Sequence, residues 1–222
     1  GSVISLKACC AVARRGLLRN MQLLRAGSFF DLDQLVLLYK QQVLSYLEYR
    51  TAAIYHAADT VLAPLDAVQR RVLRAIGVSQ EEALIHFRLA PLEVRRDVAM
   101  LGIIHRSVLG RGPKLLDGLL RRADPPLRPP RTRLAANRHR LQVVEECNGS
   151  HPEYLGRSLF GAVWVYNLLP PSIVETSATV SDFQRNCQDF LIQLVKEGAP
   201  DWGHCFSPRV PRHCHLLLAA LM

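Results

Sequence analysis

The segment from Thr60 to Gly77 leaves this chain little choice of local structure. Leu62, Leu65, Val68, Val72 and Ile76 recur every three to four residues and form one apolar stripe. Arg70, Arg71 and Arg74 fall on the opposite side at about 100° per residue. A strand would scatter both sets over its two faces, so the pattern predicts an amphipathic helix. Thr60 is positioned to cap it, Pro64 is tolerated near its first turn, and Gly77 closes it.

The same periodicity runs through most of the chain. Residues 1–27 read as a helix carrying Leu17, Leu18, Met21 and Leu24, with Gly27 as its stop. Asp31 or Asp33 can cap a long helix from Leu35 to about Ala57. Its apolar residues Leu35, Leu38, Tyr39, Val43, Tyr46, Leu47 and Ile54 occupy a face too broad for a surface helix, so it should be mostly buried. Ser79 with Glu82 forms a capping box that opens a helix to about Leu89. Pro91 begins another, with Val94, Val98, Leu101 and Val108 inward and Gly110 at its end. A short helix follows over Lys114–Leu120.

Between 121 and 150 the composition changes. Pro125, Pro126, Pro129 and Pro130 stand among Arg121, Arg122, Arg128, Arg131, Arg133, Arg138 and Arg140. Clustered prolines exclude regular helix and central strand, so this reads as a linker or exposed arm. Helices resume at Ser158–Leu169 and from Ser181 or Asp182 to Lys196, the latter with Phe183, Cys187, Phe190, Leu191 and Leu194 apolar. An irregular tail from Asp201 leads to a short apolar Leu216–Met222. No strand alternation and no internal repeat is visible. The expected fold is all-α: a multi-helix bundle over 1–120, a basic Pro/Arg-rich linker over 121–150, and a smaller helical segment over 151–222.

Charge narrows the partner class. The 222 residues carry a net charge of +9, which favours a polyanion and nucleic acid before membrane. Nearly all the cations are arginine, whose planar fork matches phosphate oxygens. No run of about 18 apolar residues suggests a membrane span. The absence of an initiator Met leads to the expectation of a piece of a longer, intracellular protein. The six cysteines are read as reduced thiols, with Cys9 and Cys10 as packing residues.

Catalytic constellations are sparse. Asp31 and Asp33 are the only close Asp pair and sit where a helix needs a cap. Glu81–Glu82 and Glu145–Glu146 are consecutive and diverge, so two-metal phosphoryl transfer has no seat. His204, Cys205, His213, Cys214 and His215 could ligate zinc, but their spacing lacks the paired ligands of a zinc module. No Gly-rich phosphate loop or nucleophile elbow is present. No metal, cofactor or catalytic residue is therefore assigned. Two basic elements remain as phosphate contacts: the Arg70, Arg71, Arg74 face with Arg95 and Arg96, and the arm containing Arg131, Arg133, Arg138 and Arg140. The plainer reading of each, a solvated face and a flexible charged linker, stays open here.

Several ordered blocks resemble one family. Leu38-Tyr39-Lys40, Val43 and Tyr46-Leu47-Glu48-Tyr49 resemble the segment just past the polymerase core of non-LTR (LINE-type) retrotransposon reverse transcriptases. Ser45 and Arg50 replace that family's usual Pro and Gly, and Tyr55 stands where Trp is common. Leu65 to Ile76, reading LDAVQRRVLRAI, resembles its LDxVQRRxLRxI helix. Leu89 to Arg96 resembles its LxPLExRR element. Arg157-Ser158-Leu159-Phe160, Val163 to Pro170 and Ser181 to Arg185 resemble blocks near the ends of such reading frames.

The resemblance implies a thumb and connector region that follows the palm and grips the RNA template or RNA–DNA hybrid. The metal-binding Asp motif of the RNA-directed DNA polymerase would lie outside this chain, and the missing palm domain would be a partner. An intracellular location follows, the nucleus being the compartment the resemblance suggests. Two other readings remain from sequence alone: a helical protein-interaction module, and a functionally silent retroelement remnant.

Overall fold

The computed structural model describes residues 2–25, 27–49, 51–123, 138–145 and 152–219, without the side chains of 2–10, 152, 153 and 219. Cys9 and Cys10 thus fall outside the described side chains. The described residues are predominantly helical and contain no sheet, as the periodicity requires. An isolated antiparallel bridge joins Arg122 and Val143. The chain divides into two compact units, Gly1–Arg96 and Asp97–Met222. That division falls within a helix and not in the Pro/Arg-rich segment that composition marks out.

The first unit is built on α1 (Ser2–Arg25), which packs along α5 (Asp59–Ala75). Between them lie α2 (Leu32–Tyr39), a π-helical turn (Lys40–Leu44), α3 (Ser45–Glu48) and α4 (Thr51–Ile54). Gly16 permits the close approach: a Cβ there would stand 2.9 Å from Leu47 Cδ2 and 3.4 Å from Val68 Cγ1. Asn20 donates from its side-chain amide to the Val68 carbonyl at 3.1 Å inside the contact, while its buried Oδ1 has no partner among the described residues. Leu65, Val68 and Val72 are essentially sealed from water. Burying each side chain contributes about 1.5–3 kcal/mol.

Helix ends follow the sequence signals with specific differences. Asp31 accepts from the Gln34 backbone at 2.8 Å, and the Gln34 side chain returns the bond, so Asp31 caps α2. The expected broad apolar face is resolved by the π-turn, in which the Ser45 N–H donates to the Lys40 carbonyl five residues back. The extra residue brings Leu35, Val36, Tyr39, Val43, Leu44 and Leu47 into the core. Thr60 does not cap α5, whose cap position is Ala58, two residues earlier, with no side-chain cap. At its far end Gly77 (φ 73°) closes a Schellman motif, with Val78 N–H bonded to Leu73 O at 3.0 Å. Ser79 and Glu82 form the expected capping box on α6 (Gln80–Phe87).

Helix α7 (Leu92–Val108) contains the boundary between the units. The second unit continues with α8 (Lys114–Asp117), α9 (Pro152–Leu155), α10 (Leu159–Leu168), α11 (Pro171–Val174), α12 (Val180–Lys196) and α13 (Leu216–Ala219). Its centre is α10, capped by Ser158, with every residue from Gly161 to Leu169 buried. Helix α12 is capped by Thr179, two residues before the expected start. Residues 138–145 are not an exposed arm: His139, Gln142 and Val143 are buried. The Asn167 amide fixes them, accepting from Val143 N–H at 2.9 Å and donating to Val143 O at 2.8 Å. The tail is also packed, with Cys205, Phe206, His215 and Leu217 buried.

Candidate nucleic-acid interface

One cationic surface begins with the register of α5. Because Leu65, Val68 and Val72 face the core, Arg70, Arg71 and Arg74 emerge on the opposite side, and all three are exposed. None of them enters an ion pair with another described residue. Arg70 and Arg74 are one turn apart, an axial rise of about 6 Å. That is close to two phosphate steps along a nucleic-acid strand at about 3.4 Å each.

Beside this face a shallow cleft is lined by Asp66, Gln69, Arg70, Leu73, Gln80 and Glu93, with Pro91 and Leu92 completing its wall. Gln69 is buried there, its amide N–H donating to the Ala90 carbonyl at 3.0 Å. The cleft thus presents Arg70 at an edge made of amides and charges.

Arg95 and Arg96, grouped with that face by sequence, are placed differently. Arg96 is buried and forks onto Asp66, with Nη1–Oδ1 at 2.6 Å and Nη2–Oδ2 at 2.9 Å. A phosphate could reach it only after that pair opened, so Arg96 joins α7 to α5 instead of offering a surface contact. Arg95 is partly buried and forks onto Glu48, its Nη2 lying 3.0 Å from Oε2. Asp66 lies among the buried residues of α5, where a carboxylate requires a cation, and Arg96 supplies it.

The proposed arm is only partly described. Arg131 and Arg133 lie outside the described residues. Arg138 is partly buried, with a buried Nε that has no described hydrogen-bond partner. Arg140 is exposed, and its backbone N–H donates to Glu175 Oε1 at 2.7 Å. Sequence reasoning overlooked the cations of α1. Arg14, Arg15, Arg19 and Arg25 are all exposed on the helix that packs along α5. Arg19 donates to Gln42 O at 2.8 Å and stands 4.5 Å over the Tyr46 ring.

Among the described residues no three of His, Cys, Asp and Glu converge as metal ligands. Within the tail, His215 donates from Nε2 to Ser207 O at 3.2 Å and packs edge-on against Trp164. Burial raises the Cys205 thiol well above its ordinary value, whereas Cys214 is exposed. No described helix is long and apolar enough to cross a membrane. No protein-family model, curated protein or solved structure matches the chain.

Proposed function

We propose that this chain is a non-catalytic, C-terminal thumb and connector region of a LINE-type retrotransposon reverse transcriptase. Its task is to grip the RNA template or RNA–DNA hybrid through phosphates while a separate palm domain performs RNA-directed DNA synthesis. The observation that carries the reading is the row of exposed arginines at 70, 71 and 74 on a helix whose other side is locked into the core. A guanidinium row with no ion-pair partner among the described residues, on rigid backbone, can displace counterions from a polyanion without reordering the protein. The ordered sequence blocks from Leu35 to Leu194 supply the family, and the charge pattern supplies the role.

The test is binding of the 222-residue protein to an RNA–DNA hybrid over a salt series. Saturable binding is expected, with a salt dependence worth several counterions. Changing Arg70, Arg71 and Arg74 together to Ala should lower that slope by about 2.7, near 0.9 per lost contact. An unaltered slope and affinity in the triple variant would remove this face from the assignment.

A further inference from the structure

The cleft beside Arg70 is lined by a residue with an unsatisfied oxygen. Gln69 is only 3% exposed. Its amide N–H is committed to the Ala90 carbonyl, and its Oε1 has no hydrogen-bond partner. Buried polar atoms are nearly always paired, so this acceptor calls for a donor from outside the chain. The room within the cleft is about 10 Å³, enough for one water or one hydroxyl and too little for a base or a phosphate.

The walls set the polarity of what fits. Pro91, which precedes α7, has no polar side chain to cap it, and Arg95 N–H bonds to the Pro91 carbonyl at 3.0 Å. The N–H groups of Leu92 and Glu93, both lining residues, therefore have no partner inside the helix. A group that accepts from a helix start and donates to Gln69 Oε1 suits this space, and a hydroxyl does both. The Asp66 and Glu93 carboxylates on the same walls disfavour an anion. An enclosed water would also meet these terms. What extends the site beyond water is its edge, where the exposed Arg70 stands one turn from Arg74. A strand whose phosphates rest on those two arginines carries its sugars past the cleft.

We infer that this cleft receives a ribose 2′-hydroxyl, so that α5 recognises an RNA strand and not charge alone. The inference rests on the nucleic-acid reading above and narrows it. The 2′-hydroxyl is both donor and acceptor, and DNA lacks it. Gln69 Oε1 is covered in the free protein, and Gln80, partly exposed at the rim, is the side chain that turns aside to admit the hydroxyl.

The test compares two hybrids of one sequence, RNA–DNA and 2′-fluoro-RNA–DNA, binding to the 222-residue protein. Fluorine keeps the sugar pucker of RNA but has no proton to donate. The wild type should bind the RNA hybrid about two- to ten-fold more tightly, the worth of one hydrogen bond. Gln69→Met removes the acceptor, and Gln80→Phe closes the rim without touching the Gln69–Ala90 bond. Both variants should bind the two hybrids alike, with the wild-type salt slope. Arg74→Ala should instead lower the slope by about 0.9 and keep the preference for RNA. Equal, saturable wild-type binding of the two hybrids would leave the cleft to an ordered water, overturning the hydroxyl site while the arginine row stands. A preference for RNA that persists in both variants would also overturn it, and Gln80→Phe decides alone if thermal melts show Gln69→Met unfolded. Absence of saturable wild-type binding would overturn this inference together with the reading it rests on.

Discussion

Replacing Arg96 with Ala tests whether this arginine is a lock within the fold or a ligand for phosphate. The guanidinium and the Asp66 carboxylate make two parallel hydrogen bonds, and their side chains are only 8% and 11% exposed. Truncation leaves the Asp66 carboxylate buried without its counter-charge. Breaking a buried pair in this way costs about 3–5 kcal/mol. With a urea dependence of roughly 2 kcal/mol per molar, the unfolding midpoint should fall by roughly 1.5–2.5 M. Arg71→Ala, on the exposed face, should stay within about 0.5 kcal/mol of wild type. Circular dichroism across a urea series measures both variants. The double change Asp66→Leu with Arg96→Met should recover most of the lost stability, since well-packed apolar side chains can replace a buried pair. If Arg96→Ala moved the midpoint by less than about 0.5 M and weakened RNA–DNA binding, Arg96 would be a phosphate contact and the lock would be refuted.

Two other outcomes follow from the second unit. Asn167→Ala removes both hydrogen bonds to the buried Val143 backbone and should cost about 2–4 kcal/mol. Hydrogen exchange should show the Val143 amide losing protection ahead of the α12 core, and an unchanged Val143 rate would contradict the anchoring role. Burial holds His105, His139 and His215 below their ordinary value of 6.5, partly countered by hydrogen bonds to the carbonyls of Ser177, Tyr166 and Ser207. The unfolded chain then takes up protons at a higher pH than the folded one, so their contribution is full above about 6.5 and shrinks as pH falls below it. Thermal melts should therefore shift downward between pH 7.5 and 5.5; a flat or rising profile would contradict neutral burial.

The legible parts of the fold were those governed by local spacing. Apolar recurrence at three and four residues located α1, α5, α7, α10 and α12, and the glycine stops and the Ser79 box emerged where orphan helix groups require them. The start of α5 after Ala58 was displaced because a tertiary environment can start a helix without a side-chain cap, whereas at α12 Thr179 itself supplies the cap, two residues before the expected one. The burial of 138–145 was not legible, since it depends on one amide of α10 reading a distant backbone. Charge pairing had the same difficulty. Arg70, Arg71, Arg74 and Arg96 look alike along the chain, and only the position of Asp66 across the helix pair distinguishes the buried guanidinium from the exposed row.

The π-turn at Lys40–Leu44 has a consequence for how such chains can be compared and altered. Its backbone holds one residue more than a regular helix would need, yet the helical segments on either side keep their apolar residues in a shared core. Removing one residue within it can restore ordinary α-helical bonding while leaving Tyr39 and Leu47 at their stations. A deletion at this point is therefore a smaller structural event than a deletion inside α5, where every following side chain would rotate off the core. Correct alignment of this helix with a shorter counterpart calls for a gap inside the helix itself, a place where gaps are ordinarily penalised.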